Sequence, residues 1–187
     1  MADIKTPDNF KLLHSPEEIS QAVHRLGVEV TGWAETVWQE QGRDIIAIPV
    51  LRGGIFFFAD LVRQIGRSVE MAPVQTWAYE QGQNEMQKER VEIRGEVGAK
   101  DRSVLLIDDV CDSGRTLKAL TERMYEIGAK EVKSAVLLKR SIEQKIFEPD
   151  YIGFEYPGTE WFVGYGMEDR ERWRNLPAIF TLHETNK

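Results

Sequence analysis

A single cysteine, Cys111, in 187 residues leaves this chain no intramolecular disulfide and fits a reducing setting. Three scattered histidines with no second cysteine argue against a structural zinc site. Positive charge is also short. Lys and Arg number 24 against 31 Asp and Glu, for a net charge of -7, so a nucleic-acid partner has no electrostatic support. No apolar run approaches the roughly 20 residues a membrane span needs, and the N-terminus is polar with no signal-peptide core. No membrane partner is expected, and a cytoplasmic location is. Repeats and low-complexity tracts are absent, and the length suits one domain, 1–187, burying roughly 70% of its unfolded surface.

What is present is concentrated in Val104-Leu105-Leu106-Ile107-Asp108-Asp109-Val110-Cys111-Asp112-Ser113-Gly114-Arg115-Thr116. The apolar run has the length and β-branched content of a strand buried on both faces, stopped by the acidic pair at its carboxyl end. Ligands in open α/β sheets bind at that end. Beyond it Leu117, Leu120, Met124 and Ile127 recur at helical spacing until Gly128, which places the Asp112–Thr116 loop at a helix N-terminus whose backbone N–H groups can hold a phosphate. A Walker A loop is excluded, because it requires glycine at Asp109 and lysine at Arg115. The lone GxG, Gly164-Tyr165-Gly166, meets Asp169 where a dinucleotide fingerprint needs glycine or alanine.

Elsewhere Ser15-Pro16-Glu17-Glu18 reads as a helix start, with serine as cap, and the helix extends to Val30 or on to Trp38. Strands are predicted over Asp44–Val50, Val69–Trp77, Ser103–Ile107, Val132–Leu138 and Tyr151–Phe154, with a Phe-rich helix over Ile55–Ile65. Strands alternating with helices indicate a parallel α/β sheet. Between Trp77 and Ser103 the chain turns polar and charged, a composition equally suited to a solvated excursion and to a lid.

The central stretch resembles the phosphoribosyl pyrophosphate (PRPP) motif of the type I phosphoribosyltransferases, and the nearest branch resembles the hypoxanthine-guanine enzymes. Four more segments follow that family's order: Val50-Leu51-Arg52-Gly53-Gly54 with Phe57-Phe58-Ala59-Asp60-Leu61; Leu138-Lys139-Arg140; Pro149-Asp150-Tyr151-Ile152-Gly153-Phe154-Glu155; and Val163-Gly164-Tyr165-Gly166 through Arg174-Asn175-Leu176-Pro177. The resemblance implies a parallel sheet flanked by helices, a small hood from the N- and C-terminal segments and a flexible lid over about 78–100. The purine branch usually has serine before the lid tyrosine, where this chain has Ala78 before Tyr79.

The implied reaction is attack of a purine nitrogen on carbon 1 of PRPP with loss of pyrophosphate, assisted by Mg2+. The resemblance gives Asp108 and Asp109 the ribose hydroxyls or magnesium, and Ser113, Gly114, Arg115 and Thr116 the 5'-phosphate. Asp112 falls where the family faces nitrogen 7 of the purine, as general base or hydrogen-bond acceptor. A helix N-cap is the plainer reading of the same residue. Arg52, Gly53 and Arg174 match pyrophosphate-binding positions, with a cis peptide expected between Leu51 and Arg52. Lys139 matches the lysine that donates to a 6-oxo group, Trp161 the stacking aromatic, and Phe162 a main-chain contact to the base. Glu168 stands at a metal-binding aspartate position, with Asp169 as the neighbouring choice. The implied substrate is hypoxanthine, then guanine, in purine salvage by a homodimer or homotetramer. A xanthine-preferring enzyme and a PRPP-sensing regulator that does not turn its ligand over are the alternatives.

Overall fold

The computed structural model describes residues 4–72, 98–141 and 146–183, together with the backbone of 75–79 and 90–94. Most of the segment assigned to the lid lies outside these residues.

Helix α1 (Pro16–Gln41) begins with a reciprocal capping box: the Ser15 hydroxyl accepts from the Glu18 N–H at 3.2 Å, and Glu18 Oε2 accepts from the Ser15 N–H at 2.8 Å. It ends at Gly42, whose φ of 64° closes the helix through a bond to the Trp38 carbonyl. Ile19, Val23, Leu26, Val30, Trp33 and Val37 form its buried stripe. That stripe lies against the central sheet.

The sheet is all parallel, in the order β3-β2-β6-β7-β8, with β2 at Ile45–Pro49, β3 at Val69–Met71, β6 at Ser103–Cys111, β7 at Glu131–Arg140 and β8 at Tyr151–Tyr156. Helix α2 (Ile55–Val62) covers one face through Phe57 and Leu61, and α3 (Arg115–Glu126) the other through Leu117, Leu120 and Met124. The chain leaves β2 toward β3 on one side and β6 toward β7 on the other. This divergence opens a crevice between the carboxyl ends of β2 and β6, where open α/β sheets take ligands.

A second sheet joins the two ends of the chain, antiparallel in the order β1-β10-β9, with β1 at Phe10–His14, β9 at Trp161–Val163 and β10 at Ile179–Leu182. Gln75–Tyr79 (β4) and Arg90–Arg94 (β5) pair as an antiparallel ribbon. Among the described residues no helix is long and apolar enough to cross a membrane.

Three sequence expectations change. The strand expected over Val69–Trp77 is two strands in different sheets, with Pro73, which has no N–H for a ladder bond, between them. Helix α2 stops at Val62 instead of Ile65, because the chain at Gln64 packs against Gly27 of α1, where even a Cβ would collide with it. Most consequentially, the acidic pair does not end β6. Pairing with β2 stops at Pro49↔Ile107, whereas pairing with β7 continues to Cys111↔Lys139, so Asp108 and Asp109 lie within the strand beside the opened crevice.

Candidate active site

The crevice is a cleft of about 300 Å³ lined from four directions: the β2 exit (Val50, Leu51, Gly53), the end of β6 with its loop (Asp108, Asp109, Val110, Asp112, Thr116), the end of β7 and start of β9 (Arg140, Trp161, Phe162), and the 167–174 segment (Met167, Glu168, Arg174). The Leu51–Arg52 peptide is cis, as the resemblance implies. Glycines allow these loops to approach. A Cβ at Gly53 would run into the Asp109 carboxylate, and one at Gly166 into the Gly53 carbonyl oxygen.

Asp108 is buried, and its Oδ1 accepts from the Asp109 N–H at 2.9 Å. Burial, then the neighbouring Asp109 charge, holds the Asp108 carboxyl well above the ordinary carboxylate range, and burial also raises Asp109. A carboxyl whose pKa is raised on folding contributes stability below its unfolded pKa and loses it as pH rises through the folded value. The ligand-free protein should therefore lose stability from about pH 4 upward on account of this pair. Asp108→Asn keeps the acceptor without the charge. Thermal melts should find the variant more stable than wild type at pH 7.5, with the gain shrinking toward pH 4. A variant less stable than wild type at pH 7.5 would refute the sign.

Downstream, Gly114 (φ 80°) turns the chain into α3, and no side chain caps that helix. A Cβ there would sit 2.8 Å from that of Phe147, so the loop is held close against the 146–150 segment. Asp108 and residues 110–117 line a small cavity of about 160 Å³ at the helix start, into which uncapped N–H groups suit an anion. Asp112 is thus not a cap. Its Oδ1 accepts from Arg140 Nε at 2.5 Å, and its side chain remains 62% exposed.

At the start of β9, Trp161 is 60% exposed, and its indole N–H donates to the Glu168 carbonyl at 2.6 Å, which leaves a tethered ring at the cleft. Phe162 behind it is buried edge-on against Tyr156. Lys139 departs from its assigned place. It lies inside β7 and is buried, with its ammonium bound to Glu148 and, at 3.1 Å, to Glu155. It does not line the cleft. Strand alternation turns neighbouring side chains to opposite faces, and the one turned inward is Arg140.

Arg52 and Arg174 converge through a residue the motifs do not single out. Glu171 accepts from Arg52 Nη2 at 2.6 and 2.9 Å and lies 3.8 Å from Arg174. Arg174 also donates to the Gly166 carbonyl at 2.7 Å. Between Glu168 and Asp169, Glu168 lines the cleft, 4.0 Å from Arg174 and accepting from the Glu171 N–H, whereas Asp169 lines a separate depression with Asn9 and His183. Neither Arg140 nor Glu171 can be assigned from spacing alone. The alternation of β7 is the available signal for Arg140, and the sequence carries none for Glu171.

Comparison with known proteins agrees with this geometry. Residues 19–170 match the phosphoribosyl transferase domain family. The chain is 35% identical over 178 residues to the hypoxanthine-guanine phosphoribosyltransferase of Bacillus subtilis, covering 94% of each. It is 35% identical to the bifunctional protein TilS/HprT of Listeria innocua, of which it spans only 26%. A crystal structure of a hypoxanthine phosphoribosyltransferase from Staphylococcus aureus superposes with a TM-score of 0.81 at 27% identity, covering 94% of this chain and 93% of that one. The chain belongs to the phosphoribosyl transferase family, alongside the hypoxanthine-guanine phosphoribosyltransferases.

Proposed function

We propose that the protein transfers the 5-phosphoribosyl group of PRPP to a 6-oxopurine, hypoxanthine first and guanine next, releasing pyrophosphate and a nucleoside monophosphate in cytoplasmic purine salvage. The observation that carries this reading is the cleft itself, where an adjacent acid pair, an uncapped helix start, two arginines and a tethered aromatic ring meet. The whole chain is read as one such domain, its terminal sheet as the hood and the segment about 78–100 as the lid, working as a dimer or tetramer.

Ser113, Gly114, Arg115 and Thr116 hold the 5'-phosphate, chiefly by backbone N–H groups. Asp108 and Asp109 accept from the ribose hydroxyls. Arg52, Gly53 and Arg174 receive pyrophosphate, which takes the place of the Glu171 carboxylate now between the two arginines. Positive charge developing on the ribose is stabilised by the surrounding carboxylates. Asp112 accepts from, or takes the proton of, the purine nitrogen. The base lies along Trp161 and meets the Phe162 main chain.

Mg2+ fits this donor set. Two adjacent carboxylates, Asp108 buried and Asp109 half-buried, are pushed toward protonation by desolvation, and a divalent cation relieves that cost. Among the described residues no cluster of three or more metal-binding side chains occurs. Mg2+ characteristically completes its shell with substrate oxygens and water around one or two carboxylates. Asp108 and Asp109, with Glu168 across the cleft, would hold it, and it would neutralise the leaving pyrophosphate. Lys139 carries donors and no acceptor, which favours an acceptor at purine position 6 and disfavours the adenine amino group. Lys139 reaches the base only by turning away from its two glutamates.

A spectrophotometric panel of hypoxanthine, guanine, xanthine, adenine and orotate with PRPP and Mg2+ tests the reading. Hypoxanthine and guanine should turn over, with adenine slower by about 100-fold or more. PRPP binding without turnover of any acceptor would identify a sensor instead.

A further inference from the structure

Arg140 closes β7 with its side chain only 11% exposed and spends all three guanidinium nitrogens on other segments. Nε donates to Asp112 Oδ1 at 2.5 Å, Nη1 to the Gly158 carbonyl at 2.8 Å and Nη2 to the Glu160 carbonyl at 2.7 Å. The guanidinium carbon lies 4.1 Å from the centre of the Phe162 ring. One planar group thus fixes the loop that carries Asp112, the turn that leads into Trp161, and the ring next to it. Lysine, a single point donor, cannot reproduce the three directions or the stack.

We propose that Arg140 is the positioning residue of the base site, setting the Asp112 carboxylate at a fixed distance from the ring on which the purine stacks. The inference rests on the phosphoribosyl transfer proposed above and extends it to a residue that touches neither sugar nor phosphate in that scheme. Only Oδ1 is engaged by the guanidinium, and the Asp112 side chain stays open to the cleft. Asp112 receives no restraint from capping α3, so without Arg140 an exposed aspartate is free among rotamers. Arg140 therefore acts on the reaction through Asp112, and on purine affinity through the 158–160 turn.

The test is a double-mutant cycle with Arg140→Gln, Asp112→Asn and their combination, plus Arg140→Lys. Hypoxanthine kinetics would be paired with PRPP titration by calorimetry. Arg140→Gln and Arg140→Lys should each lower kcat by about 100-fold, the cost of a misplaced reacting group, and raise KM for hypoxanthine while PRPP affinity stays within threefold. In the Gln background, Asp112→Asn should cost less than threefold more. Full multiplication of the two effects, or parallel loss of PRPP and purine binding, would overturn the proposal and leave Arg140 a strand tie. Should the Gln variant melt before assay, Arg140→Lys decides the matter, since wild-type kcat with lysine also overturns it. A wild-type protein inactive with every purine would sink the functional reading itself, and this inference with it.

Discussion

Asp112→Asn should lower kcat by about 10²-fold or more, the range for losing a positioned acid-base group, while the Kd for PRPP changes by less than threefold. The expectation follows from what Asp112 does not do. It caps no helix, because α3 starts at Gly114 with no side-chain cap, and it is absent from the close contacts at Gly53, Gly54 and Gly166. Among the described residues its hydrogen-bond partner is Arg140, and the amide oxygen of asparagine still accepts from that guanidinium. With the carboxylate 62% exposed, the ion pair contributes about 1 kcal/mol at most after solvent screening, so the melting temperature should hardly move. What the variant loses is the negative charge that the proposed scheme sets against the purine. Single-turnover rates and PRPP titration separate the two roles: equal losses in rate and PRPP affinity would make Asp112 a structural member of the phosphate loop.

Gly166→Ala should cost the fold heavily for a single added methyl group. Gly166 has φ 103°, outside the region that alanine occupies without strain, and its α-carbon faces the Gly53 carbonyl oxygen in the loop after β2. Backbone strain and overpacking each cost about 1–3 kcal/mol, which together make about 3 kcal/mol a reasonable expectation. For a domain of this size that lowers Tm by about 6–12 °C. Because the obstruction is a backbone atom of the loop, relief requires Gly53 to move, and PRPP affinity should fall with stability. Gly32→Ala is the control. It lies in α1 with no described atom within 4 Å of its would-be Cβ, and the change should stabilise by up to about 1 kcal/mol. A Gly166→Ala protein melting within 1 °C of wild type would refute the close approach of the two loops.

Elements with strong local signals are legible in the sequence. The capping box at Ser15 and Glu18 specifies where α1 begins, because its bonds join residues three apart. Leu117, Leu120 and Met124 mark the buried face of α3, and the apolar run Val104–Ile107 marks a strand buried on both faces. The second sheet is not legible in this way. Its strands are short and only half buried, and β1 finds its partner at the other end of the chain, so local pattern carries little of its signal. The end of β6 misleads for a related reason: carboxylates look like a strand stop, yet the ladder to β7 carries the strand past them.

At the site, the sequence alone determined the inventory: the acid pair, the loop from Asp112 to Thr116, Arg52, Arg174, Trp161 and the order in which they occur. Their types and spacing express which chemistry is possible, and types and spacing are what a sequence contains. Tertiary structure alone decided which of them face one another. Strand alternation turns Arg140 inward and leaves Lys139 among Glu148 and Glu155, while the 168–174 loop sets Glu171 between two arginines. Those arrangements depend on side chains far apart in the chain, whose charges and directions become neighbours only once the sheet has formed.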